Sequence, residues 1–151
     1  DRIILMNRGR VVQVDSRMDS YARPKTLFGA YFIGESNFLS AKKMGPRIAS
    51  YGDVLFNLEA DVPADEVILT VRPEKILFER HERNTLRCRV ENVHFLGRSM
   101  RYELSYGGRP VYVETSKASG IGVSDVVDVY FPPGDIMVFR KDAVDEEVTV
   151  I

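Results

Sequence analysis

Apolar positions along the chain change their period once. Ile3-Ile4-Leu5-Met6 and Val11-Val12-Gln13-Val14 are short apolar runs, and Asn7-Arg8-Gly9-Arg10 lies between them. Together they predict a β-hairpin in which Gly9 takes the positive φ that such a turn needs. Ser16 is placed to cap a short helix over residues 17–22. Pro24 ends it, because the residue before a proline is pushed out of the α region. Leu27, Phe28, Tyr31 and Phe32 then recur at the spacing of a helix with one apolar face, with Gly34 as its stop. Residues 1–34 therefore read β-β-α-α, and they are too few to bury their own apolar groups.

From Glu35 onward the pattern turns to strands and turns. Candidate strands cover residues 36–43, 53–59, 66–72, 75–79, 86–96, 100–106, 109–115, 126–131 and 136–140. Gly45-Pro46, Pro63-Ala64-Asp65, Gly107-Gly108, Ser119-Gly120 and Pro132-Pro133-Gly134 separate them. The clearest hairpin joins Arg101–Tyr106 to Pro110–Val113 through Gly107-Gly108-Arg109. Many short strands at regular spacing argue for a mainly β fold, a small barrel of the five-stranded OB type, preceded by the hairpin and two short helices. The division falls between residues 1–34 and residues 35–151.

Composition narrows the classes of function. The chain has 151 residues, 44% hydrophobic and 28% charged, with a net charge of -1. By size scaling about 70% of the unfolded surface can be buried, enough for one core and a short appendage. A net charge near zero gives no global pull toward nucleic acid or an acidic membrane surface. Arg2, Arg8, Arg10, Arg17, Arg23, Lys25, Lys42, Lys43 and Arg47 make the first third basic. Asp142, Asp145, Glu146 and Glu147 make the tail acidic, and both read as solvated faces. Cys88 is the single cysteine, so no intrachain disulfide forms, and a lone thiol suits a reducing compartment. No run approaches the roughly 20 apolar residues that span a bilayer. The chain opens on Asp1 rather than Met, which points to a longer protein upstream.

The search for catalytic chemistry finds none. His81 and His94 stand alone, without the three or four ligands of a zinc site. No serine sits in a Gly-x-Ser-x-Gly elbow, and no Gly-Lys-Ser/Thr places a lysine and a hydroxyl for phosphates and magnesium. Glu74 with Glu79, or Asp125 with Asp128, read as solvated charges rather than an acid-base pair. Catalytic, cofactor and metal residues are therefore expected to be absent.

Four stretches, in order, carry a resemblance. Asp1–Val14 looks like the segment after the switch histidine in ATP-binding subunits of ABC importers, where it forms the last strands of the nucleotide-binding domain. Tyr21-Ala22-Arg23-Pro24 and Phe28–Asn37 resemble the Tyr-x-x-Pro element and Phe-rich helix that follow in that family. Val71-Arg72-Pro73-Glu74-Lys75-Ile76 resembles the Arg-Pro-Glu signature of the regulatory domain of maltose-, polyamine- and iron-type importers, and Val90–Gly97 the strand and turn after it. Asp128-Val129-Tyr130-Phe131 with Pro133 and Asp135 resembles the closing segment. Asp15 replaces a usual glycine, Arg17 a common proline and Tyr130 a frequent tryptophan. The first two departures bear on the turn after the hairpin.

The resemblance implies a transport-associated OB domain, or TOBE domain, that regulates and helps to dimerise an importer ATPase for a polyamine-, iron- or sugar-like solute. ATP and Mg would be held by the parent subunit, and this fragment would bind no cofactor. Partners would be a second copy of the subunit and, through the parent, the membrane subunits. There would be no nucleic acid and no membrane insertion. The location would be cytoplasmic, at the inner face of the cell membrane. Arg72, Pro73, Glu74 and Gly97 are the signature or interface candidates. A second reading is an anion-sensing barrel, with Arg98, Ser99, Lys117 and Ser119 as ligand candidates. A third is a single-stranded nucleic-acid module using Tyr102, Tyr106, Arg109 and Tyr112, which the net charge opposes. Isolated from its parent, the hairpin is expected to be mobile or to pair with another copy through its open edges.

Overall fold

The computed structural model describes residues 2–24, 29–30, 34–117 and 119–143. The chain opens with the antiparallel hairpin of β1 (Arg2–Asn7) and β2 (Arg10–Ser16). Its turn is made by Arg8 at φ 53° and Gly9 at φ 79°, the two left-handed residues that a tight two-residue hairpin turn demands. Helix α1 (Arg17–Ala22) follows, and the Ser16 hydroxyl accepts from the Asp19 backbone N–H at 3.1 Å. The predicted second helix, with Leu27, Phe28, Tyr31 and Phe32, lies outside the described residues.

Two antiparallel sheets make the rest. One has the order β11-β6-β3-β4-β5, from β3 (Asn37–Gly45), β4 (Ile48–Tyr51), β5 (Val54–Asn57), β6 (Glu66–Val71) and β11 (Met137–Arg140). The other has the order β10-β7-β8-β9, from β7 (Thr85–Phe95), β8 (Met100–Tyr106), β9 (Arg109–Thr115) and β10 (Val126–Tyr130). Between them lies one core, in which Leu39, Phe56, Leu69, Leu86, Leu104 and Phe131 are buried. Strand β7 shows the alternation that a half-covered sheet produces: Leu86, Cys88 and Val90 face in, and Arg87 and Arg89 face out.

Strand β6 reads Glu-Val-Ile-Leu-Thr-Val and is buried from Val67 to Val71, because it is covered on both faces. Val67, Leu69 and Val71 join the main core, while Ile68 packs with Ala30 and Phe38 in a separate small cluster. Ala30, from the segment that precedes the barrel, thus packs on the outer face of β6.

One expected strand is absent and one observed strand was not expected. Residues 75–79 form no strand. Pro73–Lys75 is a 3-10 turn, and only Leu77 bridges, to Tyr130. Proline at the start of the segment fixes φ and favours the turn. Conversely, β4 escapes sequence reading because Ile-Ala-Ser-Tyr is only four residues long, and of its two inward residues Ala49 is small and Tyr51 stands at the strand's end.

Candidate functional site

The Arg-Pro-Glu segment sits where the barrel meets the residues that precede it. Arg72 extends from the end of β6 and is only 3% exposed. Its Nη1 donates to the carbonyls of Ala30 at 2.8 Å, Gly34 at 2.7 Å and Glu35 at 3.1 Å, and its Nη2 to the carbonyl of Tyr21 at 3.1 Å. The guanidinium also lies over the Tyr21 ring, 4.4 Å from its centroid. One cation therefore gathers four carbonyls that have no strand partner there. Buried carbonyls need partners, and a planar five-donor group supplies several at once. Burial pulls the Arg72 guanidinium below its ordinary value, opposed by its neighbours Tyr21 and Glu74.

The other two residues of the motif complete the joint. Pro73 is buried and opens the 3-10 turn, which carries Glu74 back toward α1. The Tyr21 hydroxyl donates to Glu74 Oε2. Burial first, and then the Glu74 carboxylate, push the Tyr21 phenol up to about 12. Gly34 closes the packing: a Cβ there would stand 2.8 Å from Cε2 of Tyr21 and 3.5 Å from Nη1 of Arg72. In the sequence Tyr21 was visible as part of the helix over residues 17–22, and Gly34 as the stop of the helix expected after it. Their contact with Arg72 spans too many residues to be read from spacing.

Gly97 stands elsewhere. It takes φ 85° in the turn between β7 and β8, beside Phe95 at 75% exposed and Leu96 at 52% exposed. The anion candidates divide. Lys117 and Ser119 line one cavity of about 390 Å³ with Thr115, Glu79 and the apolar Ile76 and Phe78. The Ser119 hydroxyl is hydrogen-bonded to Tyr102 OH. Arg98 and Ser99 are not among the residues lining that cavity, and Ser99 Oγ donates to Glu114 at 2.8 Å.

The tyrosines of the nucleic-acid reading are engaged with protein. Tyr102 is 2% exposed and packs edge-on against Phe78, Arg109 lies over the Tyr51 ring, and Arg101 lies over the Tyr112 ring. Tyr102 thus presents no face on which a base could stack. The histidines have local partners: His81 stacks on Tyr130 and meets Glu79 at 2.9 Å, and His94 meets Glu103 at 3.4 Å. Among the described residues no three His, Cys, Asp or Glu side chains group to hold a metal ion, and no helix is long and apolar enough to cross a membrane. Burial pushes the Cys88 thiol up to about 12, so it stays protonated and unreactive at neutral pH.

Two asparagines were missed altogether. Asn37 Nδ2 donates to the Tyr112 carbonyl at 2.8 Å and its Oδ1 accepts from the Tyr112 N–H at 2.8 Å, so a side chain of β3 imitates a strand partner for β9. Asn84, at φ 58°, accepts from the Asn57 N–H at 2.8 Å and donates to the carbonyls of Asn57 at 2.9 Å and Phe131 at 3.0 Å. Each joins one sheet to the other at a seam. Only the tolerance of asparagine for left-handed backbone hinted at Asn84.

Comparison with known proteins gives this geometry a setting. Residues 69–139 match the family model of the TOBE domain. A sulfate/thiosulfate import ATP-binding protein of Chromobacterium violaceum is 36% identical over 114 residues, which cover 73% of this chain and 31% of that protein. A spermidine/putrescine import ATP-binding protein of Clostridioides difficile is 29% identical over 148 residues, 94% of this chain and 41% of that protein. A molybdate/tungstate import ATP-binding protein of Pyrococcus horikoshii is 31% identical over 137 residues, 86% of this chain and 39% of that protein. The chain thus spans less than half the length of these relatives. Among solved structures, the cytoplasmic molybdate-binding protein ModG, with molybdate bound, is similar with a TM-score of 0.52 at 14% identity, over 69% of this chain and 95% of that one. That likeness supports the OB-like barrel fold.

Proposed function

We propose a role for this chain as a member of the ABC importer ATP-binding subunits, to whose TOBE-bearing C-terminal region it belongs: it is the regulatory and dimerisation domain of such a subunit. The chain is not an enzyme by itself. Its sequence carries no phosphate loop, so its residues do not fit ATP and Mg, and nucleotide chemistry falls to the parent subunit. The solute imported by the whole system is of the polyamine, iron or sugar class. The subunit works as a homodimer on the cytoplasmic side of the cell membrane, held there by the membrane subunits. Residues 1–34 are the end of the nucleotide-binding domain with its linker, and residues 35–151 are the regulatory barrel.

The Arg72 joint carries this reading. A barrel that hung on a loose linker would report nothing to its neighbour. Here a buried guanidinium with four hydrogen bonds, and the Tyr21–Glu74 bond beside it, fix the preceding segment on the barrel wall. Movement of the barrel is thereby passed to whatever the hairpin joins. The test is ATP hydrolysis by the full-length subunit assembled with its membrane partners, with Arg72→Met. Basal hydrolysis should persist while its response to solute-loaded binding protein falls. An unchanged response would refute the regulatory role.

A second reading has its own support. Lys117, Ser119 and Thr115 line one cavity, and the barrel fold is shared with a molybdate-bound protein. On this reading the cavity senses a small oxyanion such as sulfate or molybdate. Calorimetry with both anions should give heat that Lys117→Gln abolishes, and absence of heat removes this reading without touching the first.

A further inference from the structure

Beside the Arg72 joint lies a cavity of about 320 Å³ to which nothing above gives a role. This is at the lower end of the roughly 300–1,000 Å³ range of small-molecule sites. Its lining divides by chemistry. Met18, Ala22 and Met137 supply an apolar wall, and thioethers adapt their shape to a guest. Lys75 and Asp135 supply opposite charges. The Arg72 Nη groups and the Glu74 carboxylate are already spent on the joint. The side chains of Lys75 and Asp135, by contrast, have no hydrogen bond or ion pair with each other or with any other described residue. Arg72 also reaches this cavity, and its buried Nε is without a hydrogen-bond partner among the described residues.

A free anion here would be drawn to Lys75 and repelled by Asp135, and a free cation the reverse. A molecule that carries both charges satisfies both walls. We infer that the cavity binds a small zwitterion with an apolar side chain, an α-amino acid of the leucine or methionine class. Its carboxylate is held by Lys75, its ammonium by Asp135, and its side chain lies against Met18 and Met137. The site is shared between α1 and the barrel, so a bound amino acid bridges the two. That this bridging changes the parent's activity rests on the regulatory reading; the binding itself does not.

The test uses the full chain and amide NMR shifts, titrated with L-methionine, N-acetyl-L-methionine and L-methionine methyl ester. Free methionine should shift amides of residues 18–22, 74–75 and 134–137, and each blocked analogue should bind about tenfold more weakly, the cost of one lost charged contact. Lys75→Gln and Asp135→Asn should each weaken binding by a similar factor while leaving the thermal midpoint in place. No shifts at these amides would overturn the inference, as would equal binding by the blocked analogues. Because the readout is binding alone, its failure is distinct from a failure of the hydrolysis test.

Discussion

The barrel and the hairpin use the same antiparallel pairing and leave their apolar side chains in opposite places. In the barrel, β6 buries five residues in succession, and the seams between the sheets are closed by Asn37 and Asn84. In the hairpin Leu5 is buried, but Ile4, Met6 and Val11 are 61%, 53% and 59% exposed, and among the described residues the two strands pair with no third. A lone two-stranded hairpin is marginal in water. The barrel thus buries its apolar side chains within itself, whereas the hairpin leaves an apolar face exposed. Arg72 is where the two meet.

The largest blow to this contrast would fall on a seam. Asn84→Ala removes three hydrogen bonds from buried or half-buried backbone groups and leaves a left-handed residue without its asparagine, and it should cost about 3 kcal/mol in denaturant unfolding. A loss confined to the hairpin would show that the barrel does not depend on that seam.

A smaller effect belongs to the joint's outer bond. Tyr21→Phe should lower stability by about 1 kcal/mol. The Tyr21 phenol is raised from 10.0 in the unfolded chain to about 12 in the folded one. A raised pKa means that its contribution is complete below pH 10 and disappears as pH climbs from 10 through about 12. Over that window the wild type and Tyr21→Phe should converge in stability, followed by chemical denaturation at each pH. A difference that stays constant would place the bond's strength elsewhere.

The smallest effect on stability sharpens the comparison from the other side. Ile4→Ser with Val11→Ser should shift stability by no more than about 0.5 kcal/mol, since exposed side chains contribute little. Self-association measured by sedimentation should nevertheless fall. Unchanged sedimentation would mean that the hairpin face is not a contact between copies.

Much of this was legible beforehand for a physical reason. Hairpin, capped helix and most strands announce themselves locally, through Gly9, Ser16 and the alternation of Leu86, Cys88 and Val90. What escaped reading is the work of side chains on distant backbone. Arg72 reaches residues 37 to 51 positions away, and Asn37 reaches one 75 positions away. No period in the sequence records such contacts. The Arg-Pro-Glu triplet drew attention as a signature, and the structure gives each of its residues a task in the joint. The four anion candidates, grouped by residue type alone, separate into a cavity pair, Lys117 and Ser119, and a turn pair, Arg98 and Ser99.

The most direct test of the joint is amide hydrogen exchange on the wild-type chain and on Arg72→Met. With the guanidinium gone, amides of residues 2–24 should lose protection by about tenfold or more, while those of β7 and β8 keep theirs. Unchanged protection in the hairpin, or equal loss in both regions, would contradict the claim that Arg72 joins two units of unequal stability.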